Sequence, residues 1–185
     1  MALTKTPVCD FGKKAENFNL KSIKNKDVSL KDIKGEKATL IMFICNHCPY
    51  VKAIVKDLIK DVNSLKTLEI NAVAIMSNDT INYPDDSFDK MIEFSKENGF
   101  GFPYLIDETQ EIAKKYDAVC TPDFFGYNKN LELQYRGRIR ELKDLKPIEG
   151  GESDLLKAMK MIAKTGQGPK EQVPSMGCNI KWFKN

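Results

Sequence analysis

Leu40 to Ile44 is an unbroken apolar run, and behind it Val51, Ile54, Val55, Leu58, Val62 and Leu65 recur at steps of three, four and seven. The first pattern predicts a buried strand over 38–44 and the second an amphipathic helix over 48–66. Ile70 to Met76 is another short apolar run, suited to a strand covered on both faces. Upstream, Phe18-Asn19-Leu20 and Val28-Ser29-Leu30 alternate around Lys24-Asn25-Lys26 and predict a small hairpin. Downstream, Phe88, Met91, Ile92 and Ser95 share one face of a helix expected to be capped by Asp85 or Asp86 and ended by Gly99. Phe102 to Ile106 reads as a strand, and Asp107 with Gln110 as a capping box for a short helix reaching Tyr116. Phe124–Tyr127 and Leu131–Ile139 read as an antiparallel pair joined by Asn128-Lys129-Asn130, with Leu131, Leu133 and Tyr135 half exposed. A last helix spans 152–164 and turns Leu155, Leu156, Met159, Ile162 and Ala163 inward. Residues 1–16 are expected to be an irregular lead-in, and 166–185 a tail wrapped over the surface.

Strands alternating with helices imply an α/β domain with a mixed central sheet flanked by helices, an N-terminal hairpin and a helical insertion over 85–116. A chain of 185 residues that is 42% hydrophobic suits one domain with a real core. Its net charge of +3 is spread without a basic block, which argues for a solvated surface rather than nucleic-acid binding. No segment has the roughly 18 apolar residues needed to cross a bilayer. The N-terminus lacks the apolar core of a secretory signal, so the expected location is cytoplasmic. Five cysteines are an odd number and too sparse for a disulfide-stapled scaffold. In a reducing compartment such cysteines are more often catalytic, metal-binding or merely buried.

Two of them stand where chemistry is favoured. Cys45 and Cys48 bracket Asn46 and His47 at the junction of the 38–44 strand and the following helix. A helix N-terminus presents unpaired N–H groups and partial positive charge, and both favour thiolate over thiol. Cys45, at the strand end, is expected to be the more exposed nucleophile, with Cys48, one turn into the helix, resolving the mixed disulfide. His47, the one histidine in the chain, would stabilise a thiolate if protonated. The plain alternatives are two buried structural thiols and an exposed turn histidine.

A Cys-x-x-Cys pair at the first strand-to-helix junction of such a chain is the thioredoxin arrangement. Six segments carry a more specific resemblance: FICNHCPYVKA (43–53), SND (77–79), FPYLIDE (102–108), VCTPDFFGY (119–127), YRGRI (135–139) and PSMGCNIKW (174–182). Together they resemble the peroxiredoxin-like redoxin family, of the alkyl hydroperoxide reductase/thiol-specific antioxidant domain type, over nearly the whole chain from about residue 17. The Cys-x-His-Cys pattern is also similar to that of the bacterial disulfide oxidases. The resemblance implies a thioredoxin-like fold and thiol redox chemistry. It also implies a cis proline at Pro122, after Thr121, facing the cysteine pair where a substrate would lie. The plain alternative is a trans proline opening an edge strand. Cys120, just before Thr121, and Cys178, in the tail, are possible accessory thiols; each has the alternative of being simply packed. Arg136, Arg138 and Arg140 alternate along the expected strand and read as a solvated stripe.

Two departures qualify the resemblance. Peroxiredoxins carry a proline and a threonine seven and three residues before the peroxide-attacking cysteine. Ile41 and Cys45 stand there relative to Cys48, and Ala38 and Met42 relative to Cys45. Thioredoxins place a tryptophan before the first cysteine and a buried acid in the preceding strand, whereas this chain has Ile44 and no acid over 38–44. The function expected first is a thiol–disulfide oxidoreductase without a cofactor. It would act on a disulfide-bearing protein or small thiol substrate and be recycled by an external thiol or reductase, with no nucleic-acid or membrane partner. A thiol peroxidase, with sulfenic acid on Cys45 or Cys48, is the alternative. A four-thiolate metal site from Cys45, Cys48, Cys120 and Cys178 is the non-enzymatic one, opposed by the presence of only one closely spaced pair and no separate distant histidine.

Overall fold

The computed structural model describes residues 3–184. In order, its elements are β1 (Leu3–Lys5), β2 (Asn19–Ser22), β3 (Asp27–Ser29), α1 (Leu30–Ile33), β4 (Ala38–Phe43), α2 (Pro49–Lys66) and β5 (Ile70–Met76). A single 3-10 turn at Pro84–Asp86 then leads into α3 (Phe88–Asn98) and β6 (Tyr104–Ile106). The chain continues through α4 (Glu111–Lys115), β7 (Cys120–Thr121), β8 (Asp123–Asn128), β9 (Leu133–Tyr135), β10 (Leu142–Lys143), β11 (Lys146–Pro147), α5 (Asp154–Thr165) and β12 (Met176–Asn179).

Seven strands form the main sheet in the order β3-β2-β6-β5-β4-β8-β9. β4 pairs in parallel with β5 and antiparallel with β8, so it lies at the centre and is buried along its whole length. Its alternate side chains separate the core into two halves. Leu40, Met42 and Ile44 face the apolar sides of α2, α3 and α5. Ile41 and Phe43 face Leu30 and Ile33 of α1 and Ile112 and Ala113 of α4. The result is the mixed α/β thioredoxin-like architecture, with the end of β4 opening directly into α2.

Local signals explain the helix ends. Pro49 occupies the first position of α2, where its missing N–H costs nothing, and Cys48 is the N-cap. Gly99 and Gly166 end α3 and α5 in the left-handed conformation. The cap of α3 is Ser87 rather than either aspartate, and Ile92 is exposed instead of inward. Asp107 does cap α4, accepting from the Ile112 and Ala113 amides. Gln110 reaches away from the expected box to the Ser77 and Lys181 carbonyls.

Three expectations are corrected. The lead-in is not wholly irregular and the tail does more than wrap the surface: β1 pairs with β12, and β12 pairs with β7, giving a separate three-stranded antiparallel sheet. β9 is shorter than expected, and Leu133 and Tyr135 are buried, with the lead-in crossing the strand: the Gly12 amide donates to the Leu133 carbonyl and the Leu133 amide to the Lys13 carbonyl. Arg136 is no solvated residue: it is 6% exposed and its guanidinium bonds both oxygens of the fully buried Asp123, at 3.3 and 3.0 Å. Arg138 and Arg140 are half-buried ion-pair partners of Asp154 and Asp57.

Candidate active site

β4 ends at Phe43, and the chain carries Cys45, Asn46 and His47 round to the α2 N-cap, Cys48. Opposite them lies Thr121, whose bond to Pro122 is cis. Thr121 meets both sulfurs: its Oγ1 is 3.3 Å from Cys45 Sγ, and its carbonyl accepts from Cys48 Sγ at 3.1 Å. The expected difference in exposure between the cysteines is absent, since Cys45 is 1% and Cys48 0% exposed. Neither lies a turn inside the helix.

What separates the two thiols is their hydrogen bonding. The pKa of Cys48 is lowered from 9.0 to about 5, most by the neighbouring Cys45 thiol and against the cost of burial, with smaller contributions from Cys178 and Val51. Cys48 is the N-cap of α2 without a side-chain cap bond, so the unpaired amides and partial positive charge of the first turn act on its sulfur at short range. The Thr121 carbonyl suits the thiol form and opposes the thiolate. Cys45 moves the other way: burial, its donation to Cys48 and the charge of Asp86 all raise its pKa. The two thiols are thus shifted in opposite directions, Cys45 up and Cys48 down. The direction of the shift favours thiolate at Cys48 over Cys45.

Asp86 organises the other side. It is entirely buried, and it accepts from the Asn46 amide at 2.8 Å, the His47 amide at 3.3 Å and the Asn78 side chain at 2.8 Å. Its second oxygen meets His47 Nδ1 at 2.6 Å. Burial would raise the Asp86 pKa, but the bonds from His47 and Asn78 prevail and lower it. The hydrogen bond to Asp86 in turn raises the His47 pKa and favours imidazolium. His47 is 14% exposed and stacks on Tyr83 with the ring planes 10° apart. Asn46 is held by Tyr104, whose hydroxyl donates to its side-chain oxygen at 2.9 Å.

The remaining sequence-flagged residues divide. Cys178, on β12, lies directly across from Thr121 and packs in the same core cluster as Cys48. Cys120 is fully buried, and its thiol points at the Pro122 carbonyl, 3.6 Å away. Burial drives its pKa far up, so it supplies no thiolate. Sequence reasoning missed Asp86, read only as a helix cap, and Asn78. The SND at 77–79 stood out by resemblance, but nothing in its spacing ties it to a motif some thirty residues earlier.

Cys45 Sγ, a His47 nitrogen and an Asp86 oxygen lie within 4.8 Å of one another, the one group among the described residues with metal-ligand chemistry. Its imidazole and carboxylate are already committed to each other at 2.6 Å, so it fits a hydrogen-bonded dyad better than an ion site. The four cysteines considered as a thiolate cage are not gathered into one. Beside the site, Pro122, Tyr50, Ile54 and Pro174 line an apolar cleft of about 240 Å³, with Lys5 and Arg138 on its rim.

Residues 11–142, more than two thirds of the chain, match the family model described as the AhpC/TSA family. The chain belongs to the AhpC/TSA family. This AhpC/TSA protein is similar to an uncharacterized conserved protein of Geobacillus kaustophilus, at 39% identity and a TM-score of 0.94, covering 100% of this chain and 98% of that one. It is also similar to a hypothetical protein of Sinorhizobium meliloti 1021, at 34% identity and a TM-score of 0.90, covering 98% and 100%. The thioredoxin domain of a thiol-disulfide oxidoreductase from Bacteroides vulgatus shares the fold, at 18% identity and a TM-score of 0.58, over 68% of this chain and 86% of that one. No curated protein sequence matches. No helix of the described residues is long and apolar enough to cross a membrane. Family and fold together support thioredoxin-like redox function.

Proposed function

We propose that the protein is a thiol–disulfide oxidoreductase that cycles Cys45 and Cys48 between dithiol and disulfide. The observation that carries this reading is that both cysteine sulfurs meet Thr121, beside the cis Pro122, at the start of α2. In the forward direction the Cys48 thiolate attacks a substrate disulfide, forming a mixed disulfide and releasing one substrate thiolate. Cys45 then attacks the Cys48 sulfur, closing the Cys45–Cys48 bond and releasing the second substrate thiol, which takes the Cys45 proton. This order is the inverse of the one expected from the sequence, and the lowered Cys48 pKa beside a raised Cys45 pKa supports it. The His47 imidazolium, held by Asp86, favours negative charge on the pair and makes the disulfide more oxidising. Thr121 and Pro122, with the adjoining cleft, offer the surface for a disulfide-bearing protein or small thiol. An external thiol or reductase recycles the pair, and a reducing, cytoplasmic setting agrees with five free cysteines.

Stopped-flow exchange with glutathione disulfide at pH 7 tests this. Wild type is expected to react at least about tenfold faster than Cys48→Ser, following thiolate content. Equal rates for the two would refute the reading.

Membership in the AhpC/TSA family and a thiolate at a helix N-terminus favour a second reading, peroxide reduction through a Cys48 sulfenic acid. Ile41 and Cys45 occupy the positions of the polarising proline and threonine, which argues against fast peroxide chemistry. Oxidation of the reduced protein by stoichiometric hydrogen peroxide separates the two, since a rate no greater than that of a free thiol of similar pKa dismisses the peroxidase.

A further inference from the structure

We infer that Cys178 is a second resolving thiol, which forms a disulfide with Cys48 in competition with Cys45. The inference rests on the exchange reading above and extends it to a site of three thiols around one central sulfur.

Thr121 is the shared neighbour that fixes the geometry. Its hydroxyl meets Cys45 and its carbonyl meets Cys48, while Cys178 is its direct partner across the β7–β12 pairing. Cys178 is 4% exposed and packs in the same core cluster as both other cysteines. Gly177 makes this approach possible: a Cβ there would overlap the Thr121 carbonyl and come within 3.1 Å of Pro122 Cδ. Only a glycine lets β12 lie this close to the Thr121–Pro122 loop and set the next residue beside Cys48. The strand is fastened at both ends. Thr6 and Ser175 exchange bonds before it, and after it the Lys181 amide donates to the Asn78 side chain at 2.8 Å, with the Lys181 carbonyl accepting from the Asp79 amide. Cys120 does not share this role, because its thiol turns to the Pro122 carbonyl.

In the reaction, Cys178 attacks the Cys48 sulfur of the mixed disulfide. The Cys48–Cys178 bond forms, the bond to the substrate sulfur breaks, and the departing thiolate takes the Cys178 proton. Two protein thiols are oxidised and one substrate disulfide is reduced to two thiols, as in the route through Cys45. At rest, burial and the neighbouring Cys48 raise the Cys178 pKa to about 12, so Cys178 stays protonated. Once Cys48 is in a mixed disulfide its negative charge is gone, and Cys178 loses that obstacle to deprotonation while Lys181 remains nearby.

The test treats wild type, Cys45→Ser and Cys45→Ser/Cys178→Ser with glutathione disulfide, followed by acid quenching, alkylation and peptide mapping. Cys45→Ser is expected to release two equivalents of glutathione per chain and to contain a Cys48–Cys178 linkage. The double variant is expected to stop at one equivalent, with glutathione held on Cys48. If wild type exchanges but Cys45→Ser stops at one equivalent with Cys178 freely alkylated, the inference is overturned and the exchange reading survives. If wild type does not exchange, both fall. Should serine at the buried Cys45 prevent folding, partly oxidised wild type decides: a Cys48–Cys178 peptide alongside Cys45–Cys48 supports the inference, and its absence overturns it.

Discussion

Two aspartates in this molecule are wholly withdrawn from water, and each is paired with a cation, yet they serve different ends. Asp123 holds Arg136 through both carboxylate oxygens, and the guanidinium is further closed in by the Asp117 carbonyl at 2.6 Å and the Phe125 ring at 4.5 Å. Asp86 holds His47, a partner that titrates near neutrality, keeps some exposure and sits between two cysteines. Burial dominates at Asp123 and raises its pKa despite Arg136, whereas His47 and Asn78 outweigh burial at Asp86 and lower it. A buried ion pair is thus a structural tie when both members are sealed from water. It becomes a chemical device when one member titrates beside a reactive group.

The largest effect is expected from cutting the sealed pair. Asp123→Ala leaves a buried guanidinium unpaired and should cost about 3–5 kcal/mol in urea unfolding. The thiolate absorbance midpoint of the reduced protein should stay at its wild-type value, and a shift comparable to that caused by Asp86 variants would erase the distinction. Gly177→Ala forces β12 away from Thr121 and should cost about 1–3 kcal/mol, with a lower yield of any Cys48–Cys178 linkage. Asp86→Asn keeps the shape but removes the charge. It should cost about 1–3 kcal/mol and raise the Cys48 midpoint, measured by the same absorbance, as His47 loses its hold on the proton.

The smallest effect is the pH dependence of stability, where the signs differ. Asp86 is lowered from 3.8 and His47 raised from 6.5, so their pairing is fully present above the first value and below the second. It fades as pH falls through the lowered Asp86 pKa, and as pH rises through the raised His47 pKa. The stability difference between wild type and Asp86→Asn should therefore be widest at about pH 4–6.5 and shrink on either side. Asp123, raised from 3.8, binds its proton more tightly when folded, so its own contribution declines as pH rises above that value. Asp123→Asn should remove that slope and leave the Asp86 window in place, as chemical denaturation across a pH series would show.

The same contrast explains what was legible in the chain. β4 and α2 could be read because an unbroken apolar run and a 3.6-residue period are local signals, and they located Cys45 and Cys48 to within a residue or two. Thr121 and Pro122 came from resemblance, and the structure sets them against that pair. Asp86 could not be read, because its bonds to Asn46 and His47 cross some forty residues and its sequence setting is that of any helix start. Arg136 looked solvated because alternating arginines usually are; its partner sits on the adjoining strand, in a register no local pattern specifies. The three-stranded sheet was invisible for a related reason. Leu3 pairs with Cys178 across almost the full chain, in strands of three and four residues too short to carry a period.

The role given to Cys48 is the centre of the account, and disulfide mapping of the wild-type protein across glutathione redox buffers tests it most directly. Every protein disulfide that accumulates is predicted to contain Cys48, joined to Cys45 or to Cys178. A Cys48 that stays alkylatable while other cysteines become oxidised, or while the protein still exchanges with glutathione, would contradict it.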